Sequence, residues 1–301
     1  MSTIEPVIAP RRTRRQKVFA VLPTLLTLCN AACGFGAITI TAKVGPEHFG
    51  GGELITAAQL IFLAMLFDML DGSAARLTNQ TSDFGAQLDS LCDAISFGVA
   101  PAFIFLQLAH PDHHLMDTLP NIPFSFPPRI LWAIAVLFMV CAILRLARFN
   151  VEADEEDSHE YFSGLPSPAA AGVVASFPIG VRELKEQWGP GGAVEWARPL
   201  EEYLLPALVF LLPLITLAAA VLMVSRIRFA HVFNQLIRGR RSRTQILQIV
   251  FAMVLVFVVR EMAVPVLFCS FAFASPLRAF WQRYFPPKQT APAMPTESEA
   301  A

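Results

Sequence analysis

The chain has 301 residues, 54% of them hydrophobic and 16% charged, and its mean hydropathy is +0.51. Soluble domains carry about 25% charged residues, so this balance excludes an ordinary soluble protein and points to a membrane protein. A net charge of −1, with no basic stripe, excludes nucleic acid as a partner.

Residues 1–20 form a basic segment, with Arg11, Arg12, Arg14, Arg15 and Lys17 ahead of the first apolar window. No small-residue cleavage site follows, so the run reads as a cytoplasmic anchor and not as a removed signal. Apolar windows then fall near 21–42, 53–77, 84–109, 128–149, 165–182 and 203–224. Each is close to the roughly 17–25 residues that cross the hydrocarbon. The expected fold is all-α: a polytopic membrane helical bundle with six core transmembrane helices in one membrane domain, 21–224.

Residues 225–243 make a basic cytoplasmic loop with Arg226, Arg228, Arg238, Arg240, Arg241 and Arg243, suited to anionic lipid headgroups. The stretch 244–281 is interrupted by Arg260, Glu261 and Pro265 and is expected to form a pair of short transmembrane helices. Residues 282–301 are small, polar and Pro-containing, the composition of a disordered tail. The positive-inside rule puts the N-terminus, 77–84, 150–164, 225–243 and the C-terminus on the cytoplasmic side.

Cys29, Cys33, Cys92, Cys141 and Cys269 all lie in apolar segments without metal-type spacing and read as packing residues. "HPDHH" (110–114) and "VEADEED" (151–157) read as solvated loops.

One stretch breaks the apolar pattern. "DMLDGSAARLTNQTSDFGAQLDSLCDAISFG" (68–98) sets Asp68, Asp71, Asp89 and Asp93 inside two windows. A lone carboxylate at mid-bilayer costs about 2.5–3.5 kcal/mol even on the lenient insertion scale, so such residues default to function. Helical geometry places Asp68, Asp71, Gly72, Ala75 and Arg76 within roughly 140° of one face, and Gly85, Asp89 and Asp93 within roughly 80° on the next helix. A short connection makes the two helices antiparallel neighbours, so the acids share a depth and can line one pocket open to the cytoplasm. Capping explains Asp83 but not acids two turns inside a helix. Hard divalent cations, Mg²⁺ or Mn²⁺, prefer carboxylate oxygens and bridge them to phosphates. Gly72 and Gly85 leave room for a ligand against backbone, and Arg76 can pair with a phosphate. Arg145 and Arg148, ending the fourth window, can bind an acceptor's carboxylate, bind phosphate or simply anchor the helix.

The pattern D71-G72-x2-A75-R76-x8-G85-x3-D89-x3-D93, preceded by Asp68, resembles the signature of the CDP-alcohol phosphatidyltransferase family. "NAACGFGAI" (30–38), "LCDAISFGVAPA" (91–102), "RLARFN" (145–150) and "FSGLPSPAAAG" (162–172) resemble its serine-using bacterial branch. Thr24 stands where many members carry Asn after the first helix's proline. The resemblance implies that Asp68, Asp71 and Asp89 hold two divalent ions, and that Asp93 is the general base while lying near a metal. It further implies that Gly72, Ala75, Arg76 and Gly85 line the CDP site. The substrates implied are CDP-diacylglycerol and L-serine among membrane lipids, and the protein implied is a homodimer of the bacterial inner membrane. The rival within the family uses glycerol 3-phosphate or an inositol phosphate. The rival outside it is a cation or proton transporter, which requires ionisable residues along a whole transmembrane path.

Overall fold

A computed structural model describes residues 14–44, 52–78, 83–109, 126–153, 162–188, 198–225, 227–229 and 263–284. Helix α1 (Arg14–Thr41) carries Pro23 without breaking, and α2 (Gly52–Thr78) packs along it. The third window is one continuous rod in three parts: α3 (Asp83–Asp93), a π-helical turn (Ala94–Val99) and α4 (Ala100–Ala109). Helix α5 (Pro128–Ala153) follows, then α6 (Ser167–Trp188), α7 (Arg198–Val224) and α8 (Ala263–Tyr284).

The predicted windows and the helices agree closely, because a run of about 20 apolar residues has no other way to satisfy its backbone in lipid. Among the described residues, five helices contain stretches long and apolar enough to cross a membrane: Leu22–Thr41, Gly52–Ala74, Phe84–Ala109, Pro128–Val151 and Pro206–Val224. Their outer faces carry exposed Leu25, Phe35, Leu66, Trp132, Leu144 and Val221, as lipid contact requires. The chain is an integral membrane protein with an all-α bundle.

Helix α6 differs from those five. It ends in a polar turn with Arg182 and Glu186 paired side to side, yet every residue from Ala170 to Val181 is buried. It packs against α2, α4, α7 and α8, so protein and not lipid surrounds it. A central helix needs small residues for close approach more than it needs hydropathy, and "AAAGVVAS" (169–176) supplies them. Phe268 of α8 lies over Gly172, and its ring stands 5.5 Å from that of Phe62 on α2.

Helix α8 is longer than the short helix expected there. Pro265 falls in its first turn, where a missing N–H breaks no helical bond, so the helix runs on for 22 residues. The other helix expected within 244–281 lies outside the described residues.

Two short strands, β1 (Phe162–Ser163) and β2 (Arg228–Phe229), pair antiparallel. They tie the connection before α6 to the chain after α7. The Gly164 N–H donates to the Ile227 carbonyl at 3.0 Å, and at φ 89° only glycine is unstrained. This pairing holds two of the segments expected to be cytoplasmic on one face of the bundle.

A close helix-to-helix backbone contact lies between α1 and the π turn. A Cβ at Gly34 would stand 2.4 Å from Ser96 Oγ and 2.7 Å from Ser96 Cα, so the two segments meet backbone to backbone. The Ser96 hydroxyl uses that proximity to donate to the Asn30 carbonyl at 2.9 Å. Gly34→Ala should therefore cost about 1–3 kcal/mol of stability through overpacking against backbone. Gly36→Ala is the control, because its Cβ would meet only the end of the Leu60 side chain, at 3.2 Å. Thermal unfolding of the two variants in detergent should show a lowered midpoint for the first alone. Equal midpoints would mean that the contact is not tight.

Candidate active site

Asp68 and Asp71 lie on the last turns of α2, Asp89 and Asp93 on α3. Spacings of three and four keep each pair on one side of its helix, and the antiparallel crossing turns both sides toward each other. One carboxylate oxygen from each of Asp68, Asp71 and Asp89 lies within 4.8 Å of the others. At that separation two ionised carboxylates repel by about 3 kcal/mol at an effective dielectric near 20. Asp71 is 5% exposed and Asp93 7%, so water does little to relieve them.

Asp71 Oδ2 and Asp89 Oδ1 are buried without a hydrogen-bond partner among the described residues. Buried polar oxygens are ordinarily paired, and these are charged ones. Three hard oxygen donors in a tight group, on acids of which two also carry an orphaned oxygen, fit a divalent cation such as Mg²⁺ or Mn²⁺. The donor set and its burial therefore match the ions expected from the sequence.

Asp93 stands outside that close trio and has a different partner. Asn30 Nδ2 on α1 donates to Asp93 Oδ1 at 2.8 Å. Thr27, one turn earlier and also buried, donates its hydroxyl to the Pro23 carbonyl at 3.0 Å and stands beside the Asp71 carboxylate. Helix α1 thus supplies an N–H donor to Asp93 on α3 and sets a hydroxyl beside Asp71 on α2.

Among the described side chains, α5 brings positive charge to the acids. Arg145 faces Asp93 and Asp68 electrostatically, and its Nη1 donates to Ser167 Oγ at 2.7 Å. Ser167 is the fully buried first residue of α6, and Arg145 Nε is buried without a partner among the described residues. Arg148, one turn further along α5, is half-buried and has its own interactions. Beyond it, Asn150 and Ser90 bond each other across α5 and α3 at 3.0 Å.

Gly72 is exposed, and no heavy atom of the described residues lies within 4 Å of where its Cβ would stand. The backbone of α2 is open to a ligand there. Gly85 is half-buried on the first turn of α3. Ala75 and Arg76 continue the helix of α2, but their side chains lie outside the described residues.

The structure sets Asp68 and Asp71 on α2 near Asp89 and Asp93 on α3, adds Arg145 beside them, a placement the spacing of the acids did not give, and separates Arg145 from Arg148 by environment. Sequence reasoning gave no role to Asn30, Thr27 or Ser167. A lone asparagine in the apolar α1 was the available signal for the first. Ser167 meets Arg145 only through the tertiary packing of α6 on α5.

Comparison with known proteins bears directly on this geometry. The CDP-diacylglycerol–serine O-phosphatidyltransferase of Mycobacterium bovis is 33% identical over 189 residues, 62% of this chain and 57% of that relative. The archaetidylserine synthase of Methanothermobacter thermautotrophicus is 38% identical over 161 residues, 53% of this chain and 58% of that relative. The CDP-diacylglycerol–serine O-phosphatidyltransferase of Helicobacter pylori is 38% identical over 122 residues, 40% of this chain and 45% of that relative. The chain thus spans about half the length of the curated relatives it matches. Residues 20–200, which include every acid of the site together with Asn30, Arg145 and Ser167, match a single family. The chain belongs to the CDP-alcohol phosphatidyltransferase family.

Proposed function

We propose that the protein transfers the phosphatidyl group of CDP-diacylglycerol to the hydroxyl of L-serine, giving phosphatidylserine and CMP. The observation that carries this reading is the pair of buried, unpartnered carboxylate oxygens on Asp71 and Asp89, set beside Asp68 and within one pocket with Asp93. The names of the relatives support the choice of serine. A relay for ions or protons fits less well, because residues 94–109 contain no ionisable group to continue a path.

Asp68, Asp71 and Asp89 would hold divalent ions, Mg²⁺ or Mn²⁺, which when bound neutralise the pyrophosphate and stabilise departing CMP. Gly72 and Gly85 admit the CDP group against the helices, with Ala75 and Arg76 on the same stretch of α2. Asp93 accepts the serine hydroxyl proton as the serine oxygen bonds to phosphorus and the bond from phosphorus to the CMP oxygen breaks. Arg145 pairs with the serine carboxylate through its unpartnered Nε, while Ser167 holds the guanidinium from the other side. Arg148 is the second basic group at this end of α5, placed for lipid phosphate.

The same reading places the N-terminus and the open end of the pocket in the cytoplasm, in a homodimer of a bacterial inner membrane. The β1–β2 pairing supports a common face for 150–164 and 225–243, and the arginines of the second segment favour the cytoplasmic one.

Asp93→Asn removes a base at nearly constant shape. It should lower kcat by about 10²–10⁴-fold, the usual worth of a general base, with CDP-diacylglycerol binding changed little. Single-turnover CMP release beside equilibrium binding of the CDP-lipid separates the two effects. Wild-type turnover in this variant would remove Asp93 from the chemistry.

Acceptor choice is tested by incubating purified protein with CDP-diacylglycerol, Mn²⁺ and one acceptor at a time, following CMP and the lipid product. Serine should exceed glycerol 3-phosphate, inositol phosphate, ethanolamine and choline by at least about tenfold in kcat/KM. A preference for another acceptor would overturn the serine assignment and leave the family chemistry standing.

A further inference from the structure

We infer that Asn30 is a positioning residue for Asp93: its amide fixes which carboxylate oxygen accepts the proton of the attacking hydroxyl. The inference rests on the reading of Asp93 as the base and extends it to a residue on a third helix. Asn30 is 0% exposed and sits in the apolar run of α1. Its Nδ2 donates to Asp93 Oδ1 at 2.8 Å. That orientation follows from chemistry, because an ionised carboxylate only accepts and the amide NH₂ must face it.

The other half of the amide shows that packing is not its purpose. Asn30 Oδ1 is buried with no hydrogen-bond partner among the described residues. A leucine of similar size would leave no such orphan at position 30 but would take the donor from the buried Asp93 Oδ1, so the amide is there for its N–H.

The bond is also backed by Ser96, which touches α1 at two points. Ser96, three residues beyond Asp93, donates to the Asn30 backbone carbonyl at 2.9 Å. Gly34, one turn beyond Asn30 on α1, lets α1 and the π turn touch at backbone distance. These two contacts of Ser96, one to the backbone of Asn30 and one a turn away, set the separation that the Asn30 side chain bridges. A carboxylate otherwise turns broadly about its last torsion. With Oδ1 committed to Asn30, the carboxylate plane is set and Oδ2 is the oxygen left for the proton. A misplacement of about 1 Å at such a centre can cost on the order of 10²-fold in rate.

The test is a double-mutant cycle on the purified full-length protein, with CDP-diacylglycerol, Mn²⁺ and serine. Asn30→Leu removes the donor at similar volume, and Asn30→Asp replaces it with a charge that repels Asp93. Both should lower kcat by about 30-fold or more, with KM for each substrate within about threefold of wild type. On an Asp93→Asn background, Asn30→Leu should change the residual rate by less than about twofold, because the group it positions has gone. Three results overturn the inference: wild-type kcat in Asn30→Leu, a rise in KM without loss of kcat, or an equal fold-loss on both backgrounds. Thermal unfolding accompanies each variant, and if Asn30→Leu does not fold, the near-isosteric Asn30→Asp decides alone. Wild-type turnover in Asp93→Asn overturns the base assignment and this inference together. A crippled Asp93→Asn beside a fully active Asn30→Leu overturns the positioning role only.

Discussion

A carboxylate held inside an apolar bundle must meet a counter-charge or a donor, and the placement of the helices around this pocket follows from that demand. Helices α2 and α3 bring three acidic oxygens within 4.8 Å of one another, a grouping that repulsion alone would disperse. Helix α1 answers with Asn30 and Thr27, and α5 with Arg145, itself held by the first residue of α6. What remains unanswered among the described residues is one oxygen on each of Asp71 and Asp89. Those two atoms are where a divalent cation would complete the site under the proposed reading.

The same demand explains why the least apolar of the core helices is the most enclosed. Helix α6 must bring Ser167 to Arg145, and its small residues let α2, α4 and α7 close around it. The π turn after Asp93 serves a related purpose. It lies where α1 approaches to backbone distance at Gly34, and where Ser96 reaches the Asn30 carbonyl. Irregular turns of this kind within helices frequently accompany functional sites, and here the turn begins at the residue after the proposed base.

The helices were legible because a membrane leaves a window of apolar residues only one way to satisfy its backbone, and the acids because ionisable groups stand out against that background. Asp68, Asp71 and Asp89 could be assigned to one pocket from their spacing on two adjacent helices. Asn30 could not, because an uncharged amide carries a weaker signal and its partner lies 63 residues away. The π turn was invisible for a different reason: a six-residue change of helical period barely disturbs an apolar pattern. Pro265 was read as an interruption, yet it falls within the first turn of α8, where proline is harmless. Arg145 and Arg148 looked equivalent in "RLARFN", and only the packing of α6 distinguishes them.

Direct binding of Mn²⁺ tests the account most simply, since the ion is paramagnetic and its free signal can be counted. Titrated into purified protein with CDP-diacylglycerol present, wild type should take up Mn²⁺ and release CMP from serine only when it is bound. Asp71→Asn and Asp89→Asn should each weaken that uptake by at least about tenfold, because each removes charge from an otherwise unpaired ligand oxygen. Uptake unchanged in both variants, or full turnover with excess EDTA present, would contradict the assignment of these carboxylates to a metal.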